Sequence, residues 1–149
     1  MLKYAIVLPA GSGKSTLSQK YNFFIDIDSL HSQEFREELK KQYSIALKTG
    51  DWEFYNKFEC DWILPKLIEF PENYILLVHC SEKAKILNLD ILGSFKTSYK
   101  TTLMVIESRG VERGALTKLN WETTRDAIIL ETHDDIEKAV LNCSKQVLC

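Results

Sequence analysis

The segment Leu8-Pro9-Ala10-Gly11-Ser12-Gly13-Lys14-Ser15-Thr16 concentrates the residue types that phosphate chemistry requires. It follows the pattern G-x-x-x-x-G-K-[ST] except that Leu8 holds the first glycine position. Gly11 and Gly13 let the backbone wrap through unusual dihedrals, so that successive N–H groups from Ala10 to Thr16 point inward. Those donors, with the positive end of the helix that follows, suit a polyphosphate. Lys14 reaches the outer phosphates as a point charge, and the Ser15 hydroxyl is a hard oxygen ligand for Mg²⁺. The competing reading is a glycine turn that merely caps a helix. A Gly-Ser-Gly-Lys-Ser-Thr run directly after an apolar strand favours phosphate.

A second constellation is Asp26-Ile27-Asp28, at the end of the next apolar run. Open α/β sheets bind ligands beyond the carboxyl ends of their strands, which brings both aspartates near the glycine loop. Asp28 has an alternative role as the cap of a helix expected from Ser29. There are four arginines: Arg36, Arg109, Arg113 and Arg125. Arg109 and Arg113 lie in a turn over residues 108–114 that carries Gly110 and Gly114. Their planar forks match charge spread over phosphoryl oxygens; the alternative is solvated charge with Glu112 as a partner. Arg36, in the helix after Asp28, either holds an acceptor phosphate or stands exposed. No acid follows the apolar run Tyr74–Val78. His79, at that point, is either an acceptor contact or a structural histidine. His31 and His133 have no metal-ligand spacing, and Trp121 reads as a packing residue ahead of a base-stacking one.

Positioning these groups takes alternating strands and helices. Tyr4–Leu8 and Tyr74–Val78 are continuous apolar runs, the signature of strands buried on both faces, and Phe23–Ile27, which includes Asp26, reads as a further strand. Helices are expected over Ser15–Lys20 and Ser29–Leu47. Thr49-Gly50-Asp51 breaks the chain and caps a further helix. Trp52, Tyr55, Phe58 and Trp62 then form a stripe at helical spacing, read as core, and Pro65 kinks or restarts that helix. Between 81 and 108 two readings compete. The first choice, favoured by the Tyr99/Leu103/Ile106 spacing, has a helix at Ser81–Leu87, a strand at Leu89–Leu92 and a helix at Ser98–Ser108. The other has one helix over Ser81–Leu92 and a strand at Thr101–Ile106, and the length of a parallel crossover favours it. A helix at Ala115–Arg125, a strand at Ala127–Leu130 and a helix at Asp134–Asn142 end the chain. Such alternation predicts a single α/β domain over 1–149, three layers deep, with a parallel sheet of about five strands.

Composition narrows the function classes. The 149 residues are 45% hydrophobic and 27% charged, ordinary for a globular chain. The net charge of −2 argues against broad capture of nucleic acid. No apolar run is long enough to span a membrane. The apolar start leads into a glycine loop rather than a cleavage site, so it reads as a strand and not a signal peptide. Cys60, Cys80, Cys143 and Cys149 include no C-x₂-C pair, which points to reduced thiols and a cytoplasmic setting, with a Cys143–Cys149 pairing left open.

Pro9-Ala10-Gly11-Ser12-Gly13-Lys14-Ser15-Thr16, followed by a strand ending in Asp26-Ile27-Asp28, resembles the P-loop kinases. That group contains nucleoside monophosphate kinases, shikimate and gluconate kinases and polynucleotide 5′-kinases. The specific motifs occupy about the first 30 residues and the arginine turn. The resemblance implies a P-loop NTPase fold and ATP- and Mg²⁺-dependent phosphoryl transfer to a small acceptor, first a nucleoside or nucleotide. It implies Mg²⁺ work for Asp26, acceptor binding and general-base work for Asp28, and an arginine lid at 108–114 that excludes water. Two other readings stay open: a polynucleotide 5′-hydroxyl kinase, disfavoured by the acidic charge and few arginines, and a nucleotide-binding regulatory or assembly NTPase.

Overall fold

The computed structural model describes residues 1–148. The strands are β1 (Tyr4–Val7), β2 (Phe24–Asp26), β3 (Ile75–Val78), β4 (Asp90–Thr97) and β5 (Ile128–Leu130). The helices are α1 (Lys14–Lys20), α2 (Gln33–Thr49), α3 (Trp52–Leu67), α4 (Ser81–Ile86), α5 (Tyr99–Ser108), α6 (Val111–Thr123) and α7 (His133–Leu148). The strands form one all-parallel sheet in the order β2-β3-β1-β4-β5.

Strand alternation divides the core between two faces. Ala5, Val7, Leu76 and Val78 pack with Ile63 and Leu67 of α3 and Ala84 of α4. Ile6, Leu77 and Phe24 face the other way, against Leu17 of α1 and Ile136 and Val140 of α7. Helices on both faces make three layers, as the apolar runs of β1 and β3 require. Leu8, at the first position of the glycine pattern, is fully buried in the second cluster, and its N–H donates to the Val78 carbonyl (2.8 Å). A side chain stands there because the strand's pairing runs one residue into the loop.

Several expected boundaries move. The region 81–108 follows the helix–strand–helix reading, but its strand extends to Thr97. The crossover over residues 79–89 is short, and β1 lies between β3 and β4. Length alone therefore misjudged what the chain must traverse. Residues 27–30 form a 3-10 turn, and α2 begins later, where the Ser32 hydroxyl accepts from Phe35 N–H (3.1 Å). α3 runs through Pro65 without restarting, because Pro65 lies in its last turn. The Cys143–Cys149 pairing falls outside the described residues. Among the described residues, no helix is long and apolar enough to cross a membrane.

α5 and α6 form a hairpin beyond the carboxyl end of β4. The root of α6 is anchored. The Trp121 indole N–H donates to the Thr97 carbonyl (2.8 Å), and Lys96 lies 3.9 Å from the ring centre. Lys96 also donates to the carbonyls of Trp121 and Thr124. Trp121 is thus a packing residue. Gly114 lies within α6 rather than in the turn: a Cβ there would stand 2.7 Å from the Ile106 carbonyl oxygen, so glycine sets how closely the two helices approach.

Candidate functional site

Because all strands run parallel, the segments after β1, β2, β3 and β4 leave the same edge of the sheet. The glycine loop, Asp28, His79 and the α5–α6 hairpin consequently meet. They border a cleft of about 730 Å³, lined by Ala10 of the loop, Asp28, His79, Arg109 and Arg113, together with Tyr43, Trp52 and Tyr55.

The loop takes the conformation its glycines permit, with Gly11 at φ +86° and Gly13 at φ +103°. Gly13 forms the start of α1 without a side-chain cap. Other parts of the chain already hold this loop. Ala10 N–H donates to Asn120 Oδ1 (2.6 Å), and Asn120 Nδ2 donates to the His79 carbonyl (3.2 Å). His133 Nε2 lies 2.8 Å from the Gly11 carbonyl oxygen. The α6 side chain Thr117 lies 3.1 Å from where a Cβ on Gly11 would be. Ser12 is fully buried and accepts from Thr97 N–H (3.4 Å), whereas Ser15 and Thr16 are exposed. Lys14 is buried, and burial lowers its pKa below the ordinary lysine value while Asp28 and Asp26 pull the other way. A buried ammonium in that state lacks a full complement of negative charge, which an anion would supply.

The two aspartates divide their roles. Asp26 Oδ1 accepts from Asp28 N–H (3.0 Å), so Asp26 caps the 3-10 turn. Burial, then the charge of Asp28, raises the Asp26 pKa above the ordinary aspartate value, with Lys14 opposing. A hard cation nearby would relieve that rise, and in this respect Asp26 and the exposed Ser15 hydroxyl fit Mg²⁺. Asp28 serves as no helix cap; its side chain lies in the cleft. Arg36 donates to the Asp28 carbonyl oxygen (3.2 Å) and holds the backbone there.

Asp28, whose side chain is half exposed, is the outer end of a chain of charged and polar groups that runs inward to Lys83 and Glu59. His79 Nε2 lies 3.2 Å from Asp28 Oδ2, and Lys83 Nζ lies 3.1 Å from His79 Nδ1. Lys83 pairs in turn with Glu59, whose other carboxylate oxygen lies 2.8 Å from His31 Nε2. Glu59 and Lys83 are 1% and 4% exposed. Burial alone would raise Glu59, but Lys83, then His31, hold its carboxyl well below the usual range. Burial likewise opposes the Lys83 charge, but Glu59 outweighs it and lifts the lysine above its usual value. Burial and Lys83 push His79 down toward the neutral imidazole. Burial would raise Asp28, yet its interaction with His79, then Lys14 and Lys83, holds it ionised. Ligand atoms of Asp28, Glu59 and His79 lie within 4.8 Å of one another, close enough to share a cation. The Lys83 ammonium stands against two of them, Glu59 and His79.

At the hairpin tip, Arg109 donates to Thr117 Oγ1 (3.0 Å). Burial, then Arg113, lowers its pKa from the ordinary arginine value, with Asp28 opposing. Both arginines line the cleft, although Arg113 lies within the first turns of α6 rather than in a long loop. The expected aromatic stripe splits. Phe58 and Trp62, both half-buried, stack on Phe35 at 5.5 and 4.4 Å, with only Trp62 packed against the core, while Trp52 and Tyr55 join Tyr43 in the cleft wall.

Sequence reasoning missed Glu59, Lys83, Asn120 and His133. Glu59 and Lys83 lie on helices, where isolated charges read as solvated; their one sequence signal is a position four residues before Ile63 and Leu87, both buried. No protein-family model matches the chain, and no curated protein matches it.

Proposed function

We propose that this chain is a P-loop kinase that transfers the γ-phosphoryl group of ATP to a small acceptor, a nucleoside or nucleotide. The observation that carries the reading is the meeting, at one sheet edge, of the Gly11–Thr16 loop with its buried Lys14 and the cleft-facing carboxylate of Asp28. Ala10 N–H and Ser12 N–H are already bonded to Asn120 and to the Pro9 carbonyl, so the backbone N–H groups of Gly11 and of residues 13–16 and the Lys14 ammonium would hold the phosphates, and Ser15 and Asp26 would hold Mg²⁺. Bound ATP and Mg²⁺ supply the transferable phosphoryl group and neutralise its charge. Asp28, kept ionised, accepts the hydrogen bond of an acceptor hydroxyl and orients it. Arg109 and Arg113 face the same cleft, where guanidinium groups stabilise negative charge on phosphoryl oxygens.

The test is ATP turnover against nucleosides, nucleotides, sugars and 5′-hydroxyl oligonucleotides, beside an acceptor-free control. Transfer to a nucleoside or nucleotide supports the reading. Hydrolysis without any acceptor points to a regulatory NTPase. Asp28→Asn retains an oxygen for His79 to bond and removes the carboxylate. Transfer to a hydroxyl should fall about 10²-fold or more, with ATP binding retained. Near-normal transfer would shift the reading to a phosphate acceptor.

A further inference from the structure

We propose that Glu59 and Lys83 are positioning residues that act on Asp28 through His79. The proposal rests on the kinase reading for its kinetic consequence, but not for its structural content. A lysine ammonium can only donate hydrogen bonds, so the His79 Nδ1 facing it must be the bare, accepting nitrogen. The single proton of the neutral ring is therefore on Nε2, and Nε2 donates to Asp28 Oδ2. That bond pins one carboxylate oxygen and leaves Oδ1 for an acceptor hydroxyl.

The direction of the ring is set from behind. Cys80 N-caps α4, which places Lys83 one helical turn after His79. Glu59 of α3 pairs with the ammonium, and His31 Nε2 lies 2.8 Å from the other oxygen of Glu59. α3 and α4 thereby hold, by charge pairing, a carboxylate that follows β2. A buried cation between an imidazole and a carboxylate does what a metal ion does when it sets a histidine tautomer. Here the cation is covalently tethered, and no site is left for exchange.

The experiment uses the full chain labelled with ¹⁵N-histidine, with the His79 signals identified by their loss in His79→Gln. At neutral pH the His79 ring should show a protonated Nε2 and a bare Nδ1. The paired substitution Glu59→Gln with Lys83→Met removes the donor without leaving a lone buried charge. It should abolish that fixed pattern and lower kcat for the acceptor found in the panel by about ten- to a hundredfold, the range a displaced reacting group costs. KM for ATP should hold steady. His79→Gln presents an amide N–H at the reach of Nε2 and should retain most turnover, while His79→Leu should not.

A wild-type ring protonated on Nδ1, or on both nitrogens, overturns the proposal. Wild-type kcat in the paired variant, or equal turnover in the Gln and Leu variants, does so as well. If the paired variant does not fold, the wild-type spectrum and the two His79 variants still decide. Failure of the wild-type chain to phosphorylate any acceptor would instead reject the kinase reading, and the ring spectrum would still judge whether Lys83 sets the tautomer.

Discussion

The glycine loop and the Glu59–Lys83–His79–Asp28 cluster meet the same cleft by opposite means. The loop is contiguous, and its chemistry resides in backbone N–H groups and two glycine dihedrals. The cluster draws side chains from the segments after β2 and β3 and from α3 and α4, and its chemistry resides in balanced buried charge. A backbone device depends little on the side chains around it. A buried charge network tolerates no unbalanced change, because each ion is stable only beside its partner. The two regions should therefore fail differently when perturbed.

The largest effect is expected in the cluster and on stability. Lys83→Met alone leaves Glu59 buried without its cation and should destabilise the protein by about 3–5 kcal/mol in chemical unfolding. The paired Glu59→Gln, Lys83→Met variant should recover most of that loss. A paired variant as unstable as the single one would show that packing, not charge balance, holds this region.

The same pair predicts a pH window. Glu59 has a folded pKa lowered to about 2 from an ordinary 4.5. In that interval the unfolded chain binds the proton that the folded chain refuses, so the contribution is present above the ordinary value and disappears as pH falls through the folded one. Lys83 is raised above its ordinary value, so its contribution is complete below that value and is lost as pH rises through the folded one. Asp26, raised above its ordinary value, works against Glu59 in acid. The test is therefore the difference between the wild type and the paired variant in acid unfolding. A difference that stays constant down to about pH 2 would contradict the assignment of charge to Glu59.

The next effect belongs to the loop and to activity. Lys14→Ala should remove about 2–4 kcal/mol of transition-state stabilisation, read as kcat/KM. Its stability should change little or improve, because burial already works against the Lys14 charge. A large fall in melting temperature with transfer intact would place Lys14 among structural residues. Smallest are the arginines: Arg109→Ala and Arg113→Ala should each lower turnover about tenfold. Arg109→Ala should also lose about 1 kcal/mol for its bond to Thr117, and Arg→Lys should rescue only in part, since the fork is lost. Unchanged kinetics with a lowered melting temperature would make both arginines parts of the hairpin's packing.

What could be read in advance follows the same division. The loop's conformation was legible because Gly11 and Gly13 set it through their own dihedrals, and local geometry is written in neighbouring residues. β1 and β3 were legible as continuous apolar runs, and with them the all-parallel sheet and its carboxyl edge. That Asp26 and Asp28 lie at that edge followed from strand position. Which of them caps and which faces the cleft did not, because one rotation at the 3-10 turn decides it. Gly114 read as part of a mobile turn because its neighbour in space, Ile106, lies across a helix interface that no local pattern reveals.

Glu59 and Lys83 mark the limit most clearly. In the sequence they are two charges 24 positions apart on separate helices, indistinguishable from solvated ones. The packing of α3 and α4 on one face of the sheet removes them from water together. Backbone conformation is set over a few residues, and the chain could declare it alone. The state of a buried charge is set by whatever the fold brings within a few ångströms, and only the tertiary structure supplied that.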